Sequence, residues 1–305
     1  MKRKMSLSVR MYLTMLLFFT GQSALTEEYL YTQAFSDPEY GRYHIEVLHA
    51  AIRVTENDYG AVTLIPFPVP LPQNREIQTL RAGESDIMWC VTTDELESQL
   101  LPVRFPLLQG LGGHRVFVIH DNRQKDFPAQ LSLARLKTMS SVQGTFWPDT
   151  QILKYNEFAV QSISWSSWFS SMYRLLEEDI VDYFPRNVVE VFRDLSYHEN
   201  PKLTIEQNHL LVYPSYEYFF VNPNKPELQE RLQEGLKRLL VSGELVEIFN
   251  RYPYHKQGWA MARDKNRRVH RLASNVLSYQ LKHANWISHP EALISEIEGL
   301  SVAKL

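Results

Sequence analysis

Short apolar segments alternate with amphipathic ones along most of this 305-residue chain, and this alternation restricts the fold more than any single motif does. Apolar residues at helical spacing predict a helix from Gly41 to Glu56 and another from Glu76 to Arg81. Strands are predicted over 62–65, 86–91 and 115–119, because each is a short apolar run bounded by turn residues. Strands that alternate with helices in this way favour an α/β domain with a largely parallel sheet.

The alternation starts again after residue 120. Helices are predicted over 131–137, 149–155 and 168–177, and strands over 141–143, 158–163 and 180–184. Two extended segments follow at 210–213 and 218–221, and then a leucine-striped helix over 226–241 and a shorter one over 245–252. The sequence therefore predicts two successive α/β units, with crossing strands near 115–120 and 210–221.

The first 24 residues have the organisation of a cleaved export signal. A basic segment that ends at Arg10 precedes the apolar run 11–19, and the small residues of 21–24 give a signal peptidase a place to cut. The apolar run is about half of the ~20 residues that a membrane-spanning helix needs, so a spanning anchor is the weaker alternative. No cysteine lies near the cut, and we expect an exported periplasmic protein without a lipid anchor.

Charge and cysteine content narrow the possible functions. Removing residues 1–24 leaves 28 basic side chains against 35 acidic ones, so the formal net charge moves from −3 to −7. Nucleic acid is a poor partner for a protein of that charge. The single cysteine, Cys90, cannot form an internal disulfide and excludes a cysteine-rich metal site, so it is interpreted as a small buried apolar residue.

Motifs of the common enzyme classes are missing from the sequence. It has no Gly-x-Ser-x-Gly elbow, no His-Glu-x-x-His, no Walker lysine loop and no Gly-x-Gly-x-x-Gly after a strand. Cys90 has no charged neighbour in its strand that would activate it as a nucleophile. The histidines are scattered without the spacing of metal ligands. We therefore expect a protein that is not an enzyme and that uses no metal or cofactor.

The segment 141–150 is the most informative about a binding site. A strand is predicted to end at Gly144, Thr145 follows, and a helix begins near Asp149. Free N–H groups at such a helix start can bind an anion, and a glycine lets the ligand approach closely. Thr145 would add a hydroxyl and Trp147 a flat apolar wall. An ordinary capped strand–helix turn is the alternative interpretation.

Arginine and aromatic side chains supply the other candidate ligand contacts. Arg186 follows the strand predicted over 180–184, where a guanidinium can meet a carboxylate bidentately and Tyr183 can line a cleft. An ion pair between Arg186 and Glu190 is the structural alternative. The remaining candidates are two arginines in loop-like sequence, which solvent could equally surround, and the tryptophan of the strand predicted over 86–91: Arg75, Arg104 and Trp89.

Taken in order, these segments resemble the periplasmic solute-binding proteins of family 3, the polar-amino-acid group, which have a type II fold. The resemblance covers about residues 28–252. Val142-Gln143-Gly144-Thr145 is similar to the family's second-lobe turn, where Gly-Thr grips a ligand carboxylate. The return crossing at 218–221, the leucine-striped helix and its "Gly … Phe" ending are also similar. Three further segments resemble a branch known only as "transporter substrate-binding domain" proteins: 102–104, 147–153 and 183–186.

Two contacts of that family differ in this sequence. Family members carry an arginine after the third strand, in a Thr-x-x-x-Arg stretch that holds the α-carboxylate, whereas residues 92–97 read Thr-Thr-Asp-Glu-Leu-Glu. The family's acid for the ligand's amino group falls near Pro185 and Arg186, where the charge is opposite. These departures favour an anionic or aromatic organic solute over an L-amino acid held in the usual way.

The resemblance implies a two-lobed α/β fold that closes around a small polar or anionic, amino-acid-like solute by hinge motion at the two crossing strands. We expect one lobe from 25–116 plus 215–252, the other from 117–214, and a C-terminal helical tail over 255–305. The residues expected to contact the solute are Arg75, Trp89, Arg104, Gly144, Thr145, Trp147, Asp149, Tyr183 and Arg186.

The implied partners are the solute and either an inner-membrane ABC permease or a sensor protein, with the chain itself a monomer. Two other functions stay open. A periplasmic sensor or interaction module without transport is favoured by the basic tail after residue 255, although a run of charge is more often a solvated face. An enzyme on the same fold would need an acid or base in the cleft, for which Asp149 and Glu190 are the candidates.

Overall fold

Strands and helices alternate through the parts of the chain that this computed structural model describes, residues 27–34, 39–164 and 168–303. The export signal predicted over 1–24 lies outside these residues. The strands are β1 Glu27–Tyr31, β2 Val62–Pro66, β3 Ile87–Val91, β4 Leu101–Val103, β5 His114–His120, β6 Ser141–Gly144, β7 Val160–Ile163, β8 Phe184–Asn187, β9 Leu203–Ile205, β10 His209–Val212, β11 Glu217–Val221 and β12 Arg268–Arg271. The helices are α1 Arg42–Arg53, α2 Glu56–Tyr59, α3 Gln73–Ala82, α4 Asp94–Glu97, α5 Leu133–Thr138, α6 Pro148–Tyr155, α7 Trp168–Glu177, α8 Val191–His198, α9 Pro226–Ser242, α10 Glu244–Arg251, α11 Pro253–Ala262 and α12 Pro290–Ala303.

Most of the predicted elements are therefore present at the predicted places. Among the described residues, every helix is too short or too polar to cross a lipid bilayer.

The first lobe is built on a five-stranded sheet of order β2-β1-β3-β11-β4. β1 pairs in parallel with β2 and β3, whereas β11 pairs antiparallel with β3 and β4. The leucine stripe of α9 is buried, and α9 packs against α1. The two helices approach closely at Gly235, where a Cβ would lie 2.4 Å from the carbonyl oxygen of Ala51. Only glycine permits this helix–helix contact.

The second lobe is built on a sheet of order β12-β10-β5-β8, with β9 also paired to β5, and on the two-stranded sheet β6-β7. β5 pairs antiparallel with β8, β9 and β10, while β6-β7 and β10-β12 are parallel. The largely parallel sheet that the early segments predict corresponds to β2-β1-β3 of the first lobe, whereas the main sheet of the second lobe is mostly antiparallel. The sheet centres on the crossing strand β5, and its neighbours run back along it.

The two crossings lie side by side. β5 pairs with β10 at Leu211 and Arg115, and the Tyr213 N–H donates to the Gly113 carbonyl at 3.1 Å. A Cβ on Gly113 would lie 1.7 Å from the Tyr213 carbonyl oxygen. The sequence therefore needs glycine here for the two crossing segments to pass each other.

One predicted strand is displaced. Residues 180–184 were expected to be extended, but β8 begins only at Phe184. Ile180 belongs to the turn that ends α7, where its N–H donates to the Leu175 carbonyl at 2.8 Å, and Asp179 has φ 58°. Ile180 is also 49% exposed, so its apolar character does not reflect a buried strand.

The C-terminal segment contains a strand as well as the helices that the sequence predicts. β12 joins the edge of the second sheet beside β10, and α12 packs against α9 of the first lobe.

Candidate ligand-binding cleft

A cavity of about 190 Å³ lies between the two lobes. The polar and aromatic side chains that line it from the first lobe are Tyr40, His44, Gln73, Glu76, Trp89 and Glu217. Those from the second lobe are Arg115, Gln143, Trp147, Asp149, Arg186, Glu190 and Arg193. Pockets for drug-sized ligands start at about 300 Å³, so this cavity matches a smaller molecule.

Each lobe presents one indole to the cavity, and each indole lies on a glycine. Trp89 stacks on His44 with ring centroids 5.3 Å apart and planes at 2°. A Cβ on Gly41 would lie 2.6 Å from the Trp89 ring. Trp147 stacks on Phe184, and a Cβ on Gly144 would lie 2.5 Å from the Trp147 ring. The glycines thus fix how deep the two flat walls lie.

Arg115 is the guanidinium at the base of the second-lobe side. Its Nε and Nη2 lie 2.7 and 2.6 Å from Asp149 Oδ1, and the Tyr213 hydroxyl donates to the same oxygen. Nη1 of Arg115 is buried and has no hydrogen-bond partner among the described residues. Burial disfavours the charge, but Asp149 outweighs it and raises the pKa of Arg115. The cavity therefore contains a fixed cation with one unused donor.

Arg186 also lines the cavity, but structural carboxylates hold its guanidinium. Its Nε and Nη2 lie 2.8 and 2.5 Å from Asp194 Oδ2, and Nη2 lies 3.0 Å from Glu190. Burial would raise the pKa of the Asp194 carboxyl, but Arg186 and then Arg193 outweigh burial and lower it. The ion pair with Glu190 that the sequence left as an alternative is present.

The lobes touch each other at this carboxylate. The Tyr40 hydroxyl, from the first lobe, donates to Asp194 Oδ1 at 3.1 Å. The Arg193 guanidinium lies over the Tyr40 ring at 4.0 Å. One side of the cleft is therefore bridged by an aromatic ring in contact with a buried ion-pair network.

Two further polar groups of the cavity have unusual environments. Burial raises the pKa of Glu76 to about 8, so its carboxyl is mostly protonated at neutral pH and can donate as well as accept a hydrogen bond. Gln143 donates from Nε2 to the Pro185 carbonyl at 2.9 Å, while its Oε1 is buried without a partner among the described residues. Besides Arg186 and Arg193, which are paired with carboxylates, the residues that line the cavity thus include one guanidinium with an unused donor, one amide oxygen without a partner among the described residues, and one neutral acid.

Four of the nine predicted contact residues line the cavity: Trp89, Trp147, Asp149 and Arg186. Gly144 lies behind Trp147 rather than at the surface of the cavity. Asp149 lines the cavity, where its carboxylate pairs with Arg115. The helix α6 begins at Pro148 and its N-cap residue, Trp147, makes no side-chain cap, so the capped turn that the sequence left as an alternative is not formed.

The other predicted contact residues lie elsewhere. Thr145 is exposed outside the cavity, and its N–H donates to the Ile163 carbonyl at 2.9 Å instead of facing a ligand. Tyr183 is fully buried against Phe117 in the second-lobe core. Arg75 is exposed, and Arg104 pairs with Glu97 at 2.9 Å away from the cavity.

Four residues that line the cavity are not among those that the sequence predicts: Arg115, Glu76, His44 and Gln143. Arg115 stands at the start of an otherwise apolar strand, and a charge inside a buried apolar run is the signal that could have identified it. Gln143 is a polar residue in a wholly buried strand and carries the same signal. Glu76 and His44 lie on helices that carry many other polar side chains, so the hydrophobic pattern does not distinguish these two as cavity residues.

Known proteins resemble this chain in fold. Neither a protein-family model nor a curated protein matches its sequence. An ancestral arginine-binding protein bound to arginine superposes with a TM-score of 0.56 and 17% identity, over 75% of this chain and 98% of that one. An arginine-specific periplasmic binding protein of Salmonella typhimurium gives 0.54 and 14%, over 74% and 98% of the two chains. A histidine kinase sensor domain with similarity to periplasmic binding proteins gives 0.56 and 14%, over 75% and 96%.

The fold is therefore the two-lobed type II periplasmic-binding-protein fold, as the sequence resemblance implied. Its two α/β lobes enclose a single cleft, and the described cavity lies in it.

Proposed function

We propose that this chain is an exported receptor that closes its two lobes around one small organic solute with an anionic group. The observation that carries the proposal is Arg115, a buried guanidinium that Asp149 holds in place while Nη1 stays without a partner among the described residues. A buried donor without an acceptor is costly, and an anionic ligand group would remove that cost.

The other cavity groups complete the proposed solute. Gln143 Oε1 needs a donor, and the protonated Glu76 can bind either an acceptor or a donor, so the solute carries N–H or O–H groups besides its anion. Trp89 and Trp147 would lie against its apolar part. A carboxylate with an amine, amide or hydroxyl, of about amino-acid size, meets these requirements and the cavity volume of about 190 Å³.

We propose that the lobes meet at the first residues of the crossing strand β5, 114–116, and near residue 214, with 215–252 returning to the first lobe, and that closure occurs by rotation there. Export, release into the periplasm and delivery to an ABC permease belong to the same proposal. A sensor that passes on the bound state is the second candidate, and the C-terminal segment, which is folded onto both lobes, favours it. The enzyme alternative has less support, because Asp149 and Glu190 are both held by arginines.

Calorimetric titration of the chain tests the proposal. Small carboxylates, including glutamate, arginine and glutathione, are compared with their neutral amides where these exist. We expect binding of at least one carboxylate and no binding of its amide. Failure of every carboxylate, together with binding of an uncharged solute, would contradict the anionic anchor.

Arg115→Gln and Arg75→Gln form a matched pair for the same titration. Loss of a buried charged hydrogen bond costs about 2–5 kcal/mol, so Arg115→Gln should weaken binding at least ~30-fold. Arg75 is exposed outside the cavity, and Arg75→Gln should bind like the parent chain. Arg115→Lys, which keeps the charge beside Asp149, covers the case in which Arg115→Gln does not fold.

A transport assay distinguishes delivery of the solute to a permease from a sensor role. If the chain serves a permease, vesicles that contain its ABC permease should take up the solute only when the chain is present. A sensor role predicts no uptake, and instead a solute-dependent change in the activity of a neighbouring kinase or cyclase.

A further inference from the structure

Besides the two crossing strands, the C-terminal segment passes between the lobes two further times. After α10 of the first lobe, α11 packs against the second lobe, where a Cβ on Gly258 would lie 2.5 Å from the Val188 carbonyl oxygen. β12 then extends the second sheet beside β10. The chain next returns to the first lobe, and α12 ends there against α9. The two lobes are thus joined by four passes of one chain.

The return pass is short. On the second lobe, the Leu272 N–H donates to the Val212 carbonyl at 2.9 Å, and Asn156 Nδ2 donates to the Ala273 carbonyl at 2.8 Å. The first backbone attachment to the first lobe is at Val276, whose carbonyl accepts from the Asp94 N–H at 2.9 Å while its side chain is still buried in the second-lobe core. Residues 274 and 275 alone separate these attachments. Since a residue spans at most about 3.6 Å, the two attachment points cannot move more than ~11 Å apart.

The attachment to the first lobe continues beyond Val276. The Tyr279 hydroxyl donates to Glu97 at 2.6 Å, and the Leu281 N–H donates to the Tyr216 hydroxyl at 2.8 Å. Trp286 is fully buried, and its indole N–H donates to the Pro106 carbonyl at 2.8 Å. The segment is therefore anchored by side chains inside the lobe and does not merely lie on its surface.

The segment covers the face of the hinge opposite the cleft. Arg115 and Glu217 line the ligand cavity, whereas their chain neighbours His114 and Tyr216 line a groove against residues 271–284. Successive side chains of a strand point to opposite faces of its sheet. Rotation of the lobes that changes the width of the cleft must therefore change the separation of the lobes beneath this segment.

We propose that residues 268–289, the brace, hold the two lobes near the observed angle and thereby limit how far the cleft opens and closes. The role given to the brace rests on the proposed closure around a solute. Loosening the brace therefore widens the range of lobe angles. In the intact chain, the free energy of solute binding includes the cost of moving or detaching the brace.

Spin labels on the two lobes of the ligand-free chain test this proposal. Arg81→Cys in the first lobe and Tyr155→Cys in the second are exposed positions, and the native Cys90 is buried. Pulsed electron paramagnetic resonance gives the distance distribution between the labels. A Gly-Ser-Gly-Ser insertion between Ser274 and Asn275 adds slack without removing any anchor. The matched control places the same insertion between Gly60 and Ala61, an exposed turn of the first lobe.

We expect a narrow distribution for the parent chain and the control, and a distribution broadened by several ångströms for the brace insertion. Equal widths in all three, or a parent that is already broad, would overturn the proposal, as would equal broadening by the control. The Ser278 hydroxyl donates to Asp94 Oδ1 at 3.0 Å, so Ser278→Ala with Tyr279→Phe removes two anchors to the first lobe at unchanged chain length. This double variant carries the same expectation if the insertion fails to fold. No solute is added, so failure of the proposed solute class leaves this result unaffected.

Discussion

The hydroxyl of Tyr40 in the first lobe donates to Oδ1 of Asp194 in the second at 3.1 Å, and this bond bridges the lobes at one side of the cleft. The other oxygen of Asp194 accepts from Tyr173, at 3.3 Å, and from Arg186. Tyr173 belongs to the same lobe as Asp194. The carboxylate therefore has one phenol that joins the lobes and one that does not, and the two can be removed separately.

Tyr40→Phe should loosen the contact between the lobes. A hydrogen bond to a charged group contributes about 1.5–3 kcal/mol, so the variant should melt at a lower temperature and exchange its amides faster over residues 39–45. Tyr173→Phe should lower the melting temperature by a similar amount without faster exchange there. Hydrogen exchange by mass spectrometry measures this, and equal exchange over 39–45 in both variants would contradict the bridging role.

Gly41→Ala should displace Trp89. Gly41 and Gly243 have nearly the same left-handed backbone, φ 79° and 82°, but only Gly41 lies against an indole. Alanine costs about 1–2 kcal/mol of backbone strain at either position. Gly41→Ala should additionally change the near-ultraviolet circular dichroism of tryptophan and weaken solute binding. If Gly243→Ala has the same spectral effect, Gly41 does not set the position of the indole.

Glu76→Gln should stabilise the protein in mild alkali. Burial raises the pKa of Glu76 in the fold to about 8 from 4.5, so the unfolded chain releases a proton that the folded chain keeps. Its contribution to stability is present below pH 4.5 and is lost as the pH rises towards 8. The variant should therefore melt higher than the parent at pH 8 and alike at pH 4.5. Glu84→Gln, at an exposed position of the same lobe, should show no such difference.

His270→Gln should reduce the acid sensitivity of the second sheet. His270 Nε2 lies 3.0 Å from His209 Nδ1, between β12 and β10, and Glu206, Arg267 and Arg268 also face the pair. Burial, then His209 and Arg268, lower the pKa of His270 to about 4.

His270 is therefore neutral in the fold, and the stability that this provides is complete above pH 6.5 and is lost as the pH falls towards 4. Melting temperatures between pH 7 and 4 should fall less steeply in His270→Gln than in the parent. His289→Gln, at an exposed position, serves as the control and should follow the parent. Parallel curves for all three proteins would exclude the pair as a source of acid sensitivity.

Element positions could be predicted from the sequence because they depend on local periodicity. The helix predicted over 226–241 and the observed α9 differ by one residue, since a leucine stripe between Pro226 and Gly243 marks both ends. Strand direction was less predictable. The neighbours of β5 come from distant parts of the chain, and nothing local in residues 114–120 shows that they run antiparallel to it.

The binding site was only partly predictable for the same reason. Trp89 and Trp147 are conspicuous as types and did reach the cavity. Asp149 was suggested as a ligand contact, but its function depends on Arg115, 34 positions earlier, which becomes its neighbour only when β5 and α6 pack. The sequence predicts Tyr183 at the end of a strand, where it could line a cleft. The observed strand instead begins at Phe184, and Tyr183 lies before it, buried against Phe117.

The position of β12 in the sequence determines when the second lobe can finish folding during synthesis. The second sheet is formed from the middle of the sequence, yet its edge beside β10 is completed by residues 268–271, near the C-terminus. That lobe cannot reach its final state until residues 268–271 have emerged from the ribosome. A shortened chain would expose the backbone of β10 as an unpaired edge, which is prone to pairing with other chains. Folding of this protein is therefore completed late and as a whole.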